Sequence, residues 1–478
     1  MARIVVVGAG IIGLSTALLL AGAGFDVTVL EREAEPPPAA PEAAWQGWAR
    51  KGVAQFRQPH FLQPGGFGIL DTRLPGAADA LRKAGSAFNH LSMMPDTITD
   101  RTPREGDERF NCVAARRPVL EHAIAEFAAQ RLDIRRGAGV IGLLSGPSAT
   151  PGVPHVTGVR TSTGEDLPAD LVIDATGRRS ALPGWLADLS ARPLDEERES
   201  ASFTYYTRYF RSVGGEGPVF PGGRMAQHYD CYSLLTLPGD ADTWGLTVYV
   251  SAHDRPMKEL RHVDKWTALV RACRLHEPTI AGEPLTDVVA MSGVTARRRI
   301  DVLNGKPVVT GVLSVGDSLC STNPATGRGI SLGLMQAADL TDAVSEHLDA
   351  PAELARQYDE MIRARVLPWY RDTVSTDRAR LAQVDAVIQG IDPMTGAVRD
   401  GGAPGGDAKA AARRAFLRAA FHDPEVYRGF NDLVSVLTPV DEILARPGMA
   451  GRIAAANESR EPFRAPGPTR PELLELLA

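Results

Sequence analysis

The sequence predicts an α/β protein: a first part built on a βαβ unit, then a mixed antiparallel sheet, then a helical C-terminal region. Three observations carry that prediction. Two β-branched runs flank an Ala/Leu-rich segment between Arg3 and Leu30. The stretch Ser202, Phe203, Thr204, Tyr205, Tyr206, Thr207, Arg208, Tyr209, Phe210 alternates as a strand does. From Gly327 onward the apolar spacing turns helical and stays so.

Arg3–Val7 is short and β-branched, the texture of a buried strand. Ile12–Ala23 reads as a helix closed by Gly24, and Asp26–Leu30 as a second strand, parallel to the first. Residues 33–41 form an acidic, Pro-rich exit loop. Pro118–Arg131 is helical in pattern, and Asp133–Leu144, His155–Ser162 and Leu171–Ala175 are short strands. The alternation from Ser200 to about Val250 predicts an antiparallel sheet with one face covered. Pro307–Val315 is a further strand, Gly327–His347 a helix, and Ala352 onward helix-rich, interrupted by a Gly/Asp-rich loop at Thr395–Asp407. This divides the chain into residues 1–80, 101–186 and 290–347 as a discontinuous cofactor-binding domain, 81–100 and 187–289 as a substrate-binding sheet domain, and 348–478 as a helical region.

The 478 residues carry 44% hydrophobic and 23% charged side chains, the balance of a soluble globular protein. A net charge of −6 argues against nucleic acid, which usually needs a basic face. The cluster Arg297, Arg298, Arg299 reads as a solvated face. The start at Met1 runs directly into the first strand, so no leader peptide is expected. No apolar window is long enough to span a bilayer. Four cysteines (Cys112, Cys231, Cys273, Cys320) lie far apart without a Cys-x-x-Cys pair, predicting reduced thiols, no metal site and a cytoplasmic protein.

Gly8, Gly10 and Gly13 stand between the first strand and the first helix in the spacing Gly-x-Gly-x-x-Gly. One glycine makes the tight turn, one lets the backbone approach a pyrophosphate, and one lets helix and strand pack closely. The diphosphate then rests on free N–H groups at the helix start. Glu31 follows about twenty residues on, where a carboxylate binds both ribose hydroxyls and repels a ribose phosphate, disfavouring NADP. This is a Rossmann-like dinucleotide unit. Gly137, Gly139 and Gly142 spell the same spacing, but Pro147 and Pro151 follow where a helix would be needed. That second match is a strand of a small sheet, not a phosphate site.

The unit alone allows NAD or FAD, and two distant segments decide. In the first, Gly316 and Asp317 follow a strand, and Asn323, Pro324, Gly327, Arg328 and Gly329 lead into a helix. In the second, Asp174, Ala175, Thr176, Gly177 and Arg178 end another strand. Together these resemble the motifs of the group A flavin-dependent monooxygenases, the para-hydroxybenzoate hydroxylase fold. The resemblance implies an FAD-binding domain in which Asp317 binds the ribityl chain and Pro324, Gly327 and Gly329 lie beside the flavin ring. Arg117, which opens Arg117-Pro118-Val119-Leu120-Glu121, is similar to the family's FAD-contacting arginine, and Arg32 is placed near the adenine. Thr176 stands where the family usually has aspartate, which leaves the electron donor open between NAD(P)H directly and a separate flavin reductase. Residues 50–62 are similar to a segment of the polyketide and polyene epoxidases, allied to squalene epoxidase, and make Arg50 and His60 flavin-face candidates.

The function this implies is transfer of one oxygen atom from flavin-activated dioxygen to a small apolar organic substrate, by epoxidation of an alkene or hydroxylation of an aromatic ring, in specialised metabolism. Epoxidation needs no general base, and no base–nucleophile pair is visible. Hydroxylation of a phenol would call on Tyr205, Tyr206, Tyr209, His228 or Tyr229, although alternating aromatics are more often sheet core. The alternatives are a flavin-dependent reductase of a prenyl or polyketide substrate and a flavin halogenase. The Trp-x-Trp-x-Ile-Pro signature of the halogenases is absent. A flavin-holding partner without activity is the non-enzyme reading.

Overall fold

A computed structural model describes residues 1–199, 202–215, 217–391, 408–458 and 465–478. The expected loop at Thr395–Asp407 lies outside the described residues. Five parallel strands form the central sheet in the order Val312–Ser314, Leu171–Asp174, Arg3–Val7, Asp26–Glu31, Asp133–Arg136. Strands of this sheet are buried on both faces, which explains their uninterrupted apolar runs. The helix Ile11–Gly22 packs on one face against the helix Gly329–His347. Strands brought from far apart in sequence therefore end side by side at one edge, and Arg3–Val7, Leu171–Asp174 and Val312–Ser314 are each followed by a glycine turn, at Gly8, Gly177 and Gly316.

The residues expected as one strand, Asp133–Leu144, are two: Asp133–Arg136 in the parallel sheet and Val140–Gly146 in a three-stranded antiparallel sheet. Gly137, with φ +73°, makes the turn between them. The second Gly-x-Gly-x-x-Gly match thus runs into a strand, as its sequence implied.

The second sheet is antiparallel and centres on Phe203–Arg211 paired to Thr243–Ser251. Here the expectation of one covered face is corrected, because Thr243–Ser251 is buried at every position. Leu246, Val248 and Val250 pack against Trp266 of the helix Val263–Ala272 and against Leu473 near the C-terminus. Phe203, Tyr205 and Tyr249, on the opposite face by strand alternation, pack with Met291 and Val294. Trp266 Nε1 donates to Tyr206 O at 2.9 Å, so the covering helix is bonded to the sheet as well as packed on it.

Arg116, fully buried, pairs with Asp240 at 2.6 Å and Glu42 at 2.7 Å and ties the nucleotide-binding part to this sheet. The Arg297–Arg299 cluster is also corrected. It lies in the strand Arg297–Ile300, paired to Asp195–Arg198, and Arg298 and Arg299 are buried. The register sets Glu196 and Glu197 opposite Arg299 and Arg298, so charges that look solvated in one segment are neutralised by another. The helices Pro351–Met361, Leu367–Ile388, Ala408–Ala419 and Pro424–Val434 follow. The four cysteines are free and buried, and among the described residues no helix is long and apolar enough to cross a membrane and no group of side chains could hold a metal ion.

Candidate functional site

At the end of the first strand Gly8 takes φ +109°, a conformation side chains resist, and its N–H donates to Leu30 O at 2.8 Å. A Cβ on Gly13 would stand 2.0 Å from Gly8 O, so the helix can lie this close to the turn only without one. Gly10 differs: a Cβ there would meet no atom within 4 Å. Gly10 caps the helix Ile11–Gly22 with no side-chain bond, and no acid occupies the first turn. The uncapped N–H groups and the open space beside Gly10 fit a pyrophosphate.

Glu31 ends the second strand, buried, and accepts from the N–H of Ala9 at 3.0 Å and of Glu33 at 3.1 Å. Arg50 pairs with Glu31 at 2.8 Å, Glu33 at 3.0 Å and Glu121 at 3.1 Å. Burial works against the charge on Arg50, but Glu121, Glu31 and Glu33 outweigh it and raise its pKa. Arg50 therefore stands beside Glu31 at the end of the second strand and lines the cavity there. Three carboxylates gathered by the fold pull the side chain there. Arg117 continues the chain of alternating charge, bonded to Glu121 at 2.6 Å. Arg32 is exposed at the mouth of the same cavity, between Gly52 and Gly139.

The two distant motifs meet at the neighbouring strand ends. Arg178 pairs with Asp317 at 3.1 Å, and its other nitrogens donate to the carbonyls of Thr295 and Thr322. Gly177 N donates to Ser318 Oγ at 2.8 Å, and Thr176 Oγ1 donates to the buried Asp174 at 2.5 Å. Gly316 N donates to Gln336 of the Gly329–His347 helix at 2.8 Å. That helix begins without a side-chain cap, and a Cβ on Gly329 would meet nothing within 4 Å. Pro324, Gly327 and Gly329 all line the cavity. Three buried polar atoms of lining residues, Gln63 Oε1, Thr322 Oγ1 and Thr326 Oγ1, have no partner among the described residues. Unpaired buried polar atoms around an uncapped helix start fit the polar edge of a flavin ring.

His60 lines the cavity too and is placed by Gln58, which accepts from Thr207 at 2.7 Å and donates to Val289 O at 3.1 Å. The imidazole donates Nδ1–H to Gln58 O at 2.8 Å. Burial, then the nearby Arg117, lower its pKa to about 3, so it is a neutral acceptor at Nε2.

One continuous cavity of about 810 Å³ joins these parts. It runs from Gly8–Gly13 and Glu31, past Asp317 and the Pro324–Gly329 turn, into a chamber lined by Phe203, Leu235, Leu237, Tyr249, Phe421 and Phe430. Of the five aromatic and histidine candidates, His228 alone reaches it. Tyr205 donates to Asn323 at 2.6 Å, Tyr206 lies in the core beneath the covering helix, Tyr209 packs on Trp45, and Tyr229 stacks on Tyr232. Lining residues that the sequence did not single out as site candidates include Arg178, Arg224, Arg380 and Asp377. Arg178 sits inside the second motif and was legible there; Arg224 and Asp377 carry no sequence signal.

Comparison with known proteins agrees with this geometry. The family model for FAD dependent oxidoreductases matches residues 3–63. Protein Rv3254 of Mycobacterium tuberculosis is 28% identical over 71% of this chain and 72% of its own length. The FAD-dependent monooxygenase cle3 of Aspergillus versicolor is 25% identical over 77% of this chain and 74% of its own. Among solved structures, the anhydrotetracycline hydroxylase OxyS of Streptomyces rimosus superposes with a TM-score of 0.55 at 19% identity, covering 91% of this chain and 76% of that one. That last likeness concerns the fold. With the dinucleotide turn, the second strand's acid and the two distant motifs closed on one cavity, the chain is an FAD-dependent oxidoreductase with the group A flavin monooxygenase fold.

Proposed function

We propose that this enzyme transfers one atom of dioxygen to a small, largely apolar organic substrate, by epoxidation of an alkene or hydroxylation of an aromatic ring. The observation that carries the reading is the single cavity shared by the nucleotide turn, the Gly316–Asp317 loop and an aromatic-lined chamber. The name of the cle3 relative supports it. Gly8, Gly10, Gly13, Glu31, Arg32, Arg50 and Arg117 would hold the ADP half of FAD. Asp317, with Arg178 behind it, would meet the ribityl chain, and Pro324, Gly327 and Gly329 the ring.

When bound and reduced, the flavin supplies electrons and activates dioxygen. This chain's own part is to position and to exclude water. The uncapped N–H groups at the start of the Gly329–His347 helix are fixed donors for developing negative charge. His60, neutral and bonded to Gln58, adds an acceptor without adding charge. The chamber's aromatic walls remove water from the reacting groups.

The test is anaerobic reduction of the FAD-loaded protein with NADH or NADPH, with and without a free flavin reductase, followed by isotopically labelled dioxygen and candidate substrates. One labelled oxygen atom in the product is the expected result, and bleaching only with the added reductase would identify the partner route. Saturation of a substrate without oxygen uptake would replace this reading with that of a reductase.

A further inference from the structure

His90 and Asn431 both line the cavity, each with 1% of its surface exposed. They come from distant parts of the chain: His90 opens the short helical turn His90–Met93, and Asn431 stands in the helix Pro424–Val434. Each is fixed by bonds that leave one polar atom over. Asn431 Nδ2 donates to Tyr427 O at 2.9 Å, which sets the orientation of the amide and makes Oδ1 its free end. His90 Nδ1 lies 3.2 Å from Ser435 Oγ, and the rings of Phe61 and Phe88 flank the imidazole at 5.3 and 5.9 Å between centroids. Ser435 is itself fully buried and tied on both sides. Its N–H donates to Asn431 O at 2.9 Å, and its carbonyl accepts from the Gly65 N–H at 2.8 Å. His90 Nε2 and Asn431 Oδ1 are left, buried and without a hydrogen-bond partner among the described residues.

The two loose ends belong to one place. Asn431 favours the protonated imidazole, which only its oxygen can do, so Oδ1 is turned toward His90 without completing a bond to it. Burial outweighs that help and lowers the imidazole pKa to about 4, so the pair is uncharged near neutral pH. Phe61, Met93 and Leu433, close to the pair in packing or in sequence, are apolar and line the cavity as well. An ionised group is a poor occupant here: a carboxylate would set its charge against the lone pairs of Oδ1, and a cation would find no counter-charge on either residue. A hydroxyl suits both atoms. It donates to Asn431 Oδ1 and accepts from His90 Nε2–H, the tautomer that results when Ser435 Oγ–H donates to Nδ1.

We infer that His90 and Asn431 select the substrate by an un-ionised hydroxyl group, held between Nε2 and Oδ1 in an otherwise apolar part of the cavity. The inference rests on the oxygenase reading above and narrows its substrate class to apolar alcohols or phenols. No proton leaves the hydroxyl. The pair acts as a handle that fixes which end of the molecule the chamber holds.

The experiment titrates the oxidised, FAD-loaded protein calorimetrically near neutral pH with indan-2-ol, indan-5-ol and the methyl ether of each. An ether oxygen accepts a hydrogen bond but has no proton to give Asn431. At least one hydroxyl compound should bind about fivefold or more tightly than its own ether, and which of them does so separates an alcohol from a phenol. In His90→Phe and in Asn431→Leu the preference should vanish while the ethers bind as before and flavin content stays unchanged. His90→Gln, which still offers a donor, should keep part of it. The His90→Phe result stands alone should Asn431→Leu fail to fold. Equal binding of each hydroxyl compound and its ether, binding of none of the four, or a preference that survives both His90→Phe and Asn431→Leu would overturn the assignment. A hydroxyl preference in a protein that transfers no labelled oxygen would strike the oxygenase reading and leave this pair standing.

Discussion

The guanidinium of Arg178 stands 3.1 Å from the carboxylate of Asp317 and joins two motifs separated by 139 residues of chain. Both side chains are half-buried, with 23% and 22% of their surface open, and both line the cavity. A pair this exposed stabilises the fold by no more than about 1 kcal/mol. Asp317→Asn should therefore leave the unfolding midpoint in urea nearly unchanged. Flavin affinity should fall by about tenfold or more, because an anion facing the ribityl site is lost. Fluorescence titration of free FAD checks this, and unchanged affinity would remove Asp317 from the cofactor site.

Arg50 is the opposite case. It is buried among Glu31, Glu33 and Glu121, so removing it strands three carboxylates at once. Arg50→Met should cost about 3–5 kcal/mol in denaturant unfolding, the size expected when a buried ion pair loses one partner. Arg50→Lys should recover only part, since an ammonium cannot serve three acids with the geometry of a guanidinium.

Two glycines of one motif should fail differently. Gly13→Ala sets a Cβ 2.0 Å from Gly8 O and should destabilise the apoprotein. Gly10→Ala meets no protein atom and should leave apoprotein stability intact while weakening FAD binding by about tenfold or more. Thermal unfolding of the two apoproteins, set beside their flavin content, separates the roles. Equal stability losses would show that Gly10 does not face the cofactor.

Asp377 predicts a pH effect. Burial raises its carboxyl from an ordinary value near 3.8 to about 7, so the folded chain keeps a proton that the unfolded chain has released. The stabilisation from the protonated form is complete below about pH 4, declines as pH rises, and is gone above about pH 7. Asp377→Asn removes that slope. Its stability relative to wild type should therefore improve with rising pH across this window, by a gap on the order of 4 kcal/mol at most. A difference between the two proteins that does not vary with pH would show that Asp377 is ionised as usual.

Several parts of this protein were readable from local pattern. Gly8, Gly10, Gly13 and Glu31 announce their arrangement because turn, helix start and strand end are decided within about thirty residues. The rejected match at Gly137–Gly142 was equally readable, since Pro147 and Pro151 forbid the helix a phosphate site requires. The helices Pro41–Gly47, Pro64–Arg73 and Pro75–Ala84 were not anticipated. Each spans three turns or fewer, too short for its apolar spacing to stand out from the texture of a Pro- and Gly-rich loop.

By itself the sequence determined the class of fold, the dinucleotide turn and the two distant motifs, because each depends on backbone conformation and on neighbours close in the chain. Tertiary structure alone decided which charges are buried and what they meet. Arg299 finds Glu196, Arg50 finds three acids, and Arg224 finds the ring of Phe421. Charge pairing and cavity lining depend on atoms brought together from distant parts of the chain, and a single chain read in order carries no record of those distances.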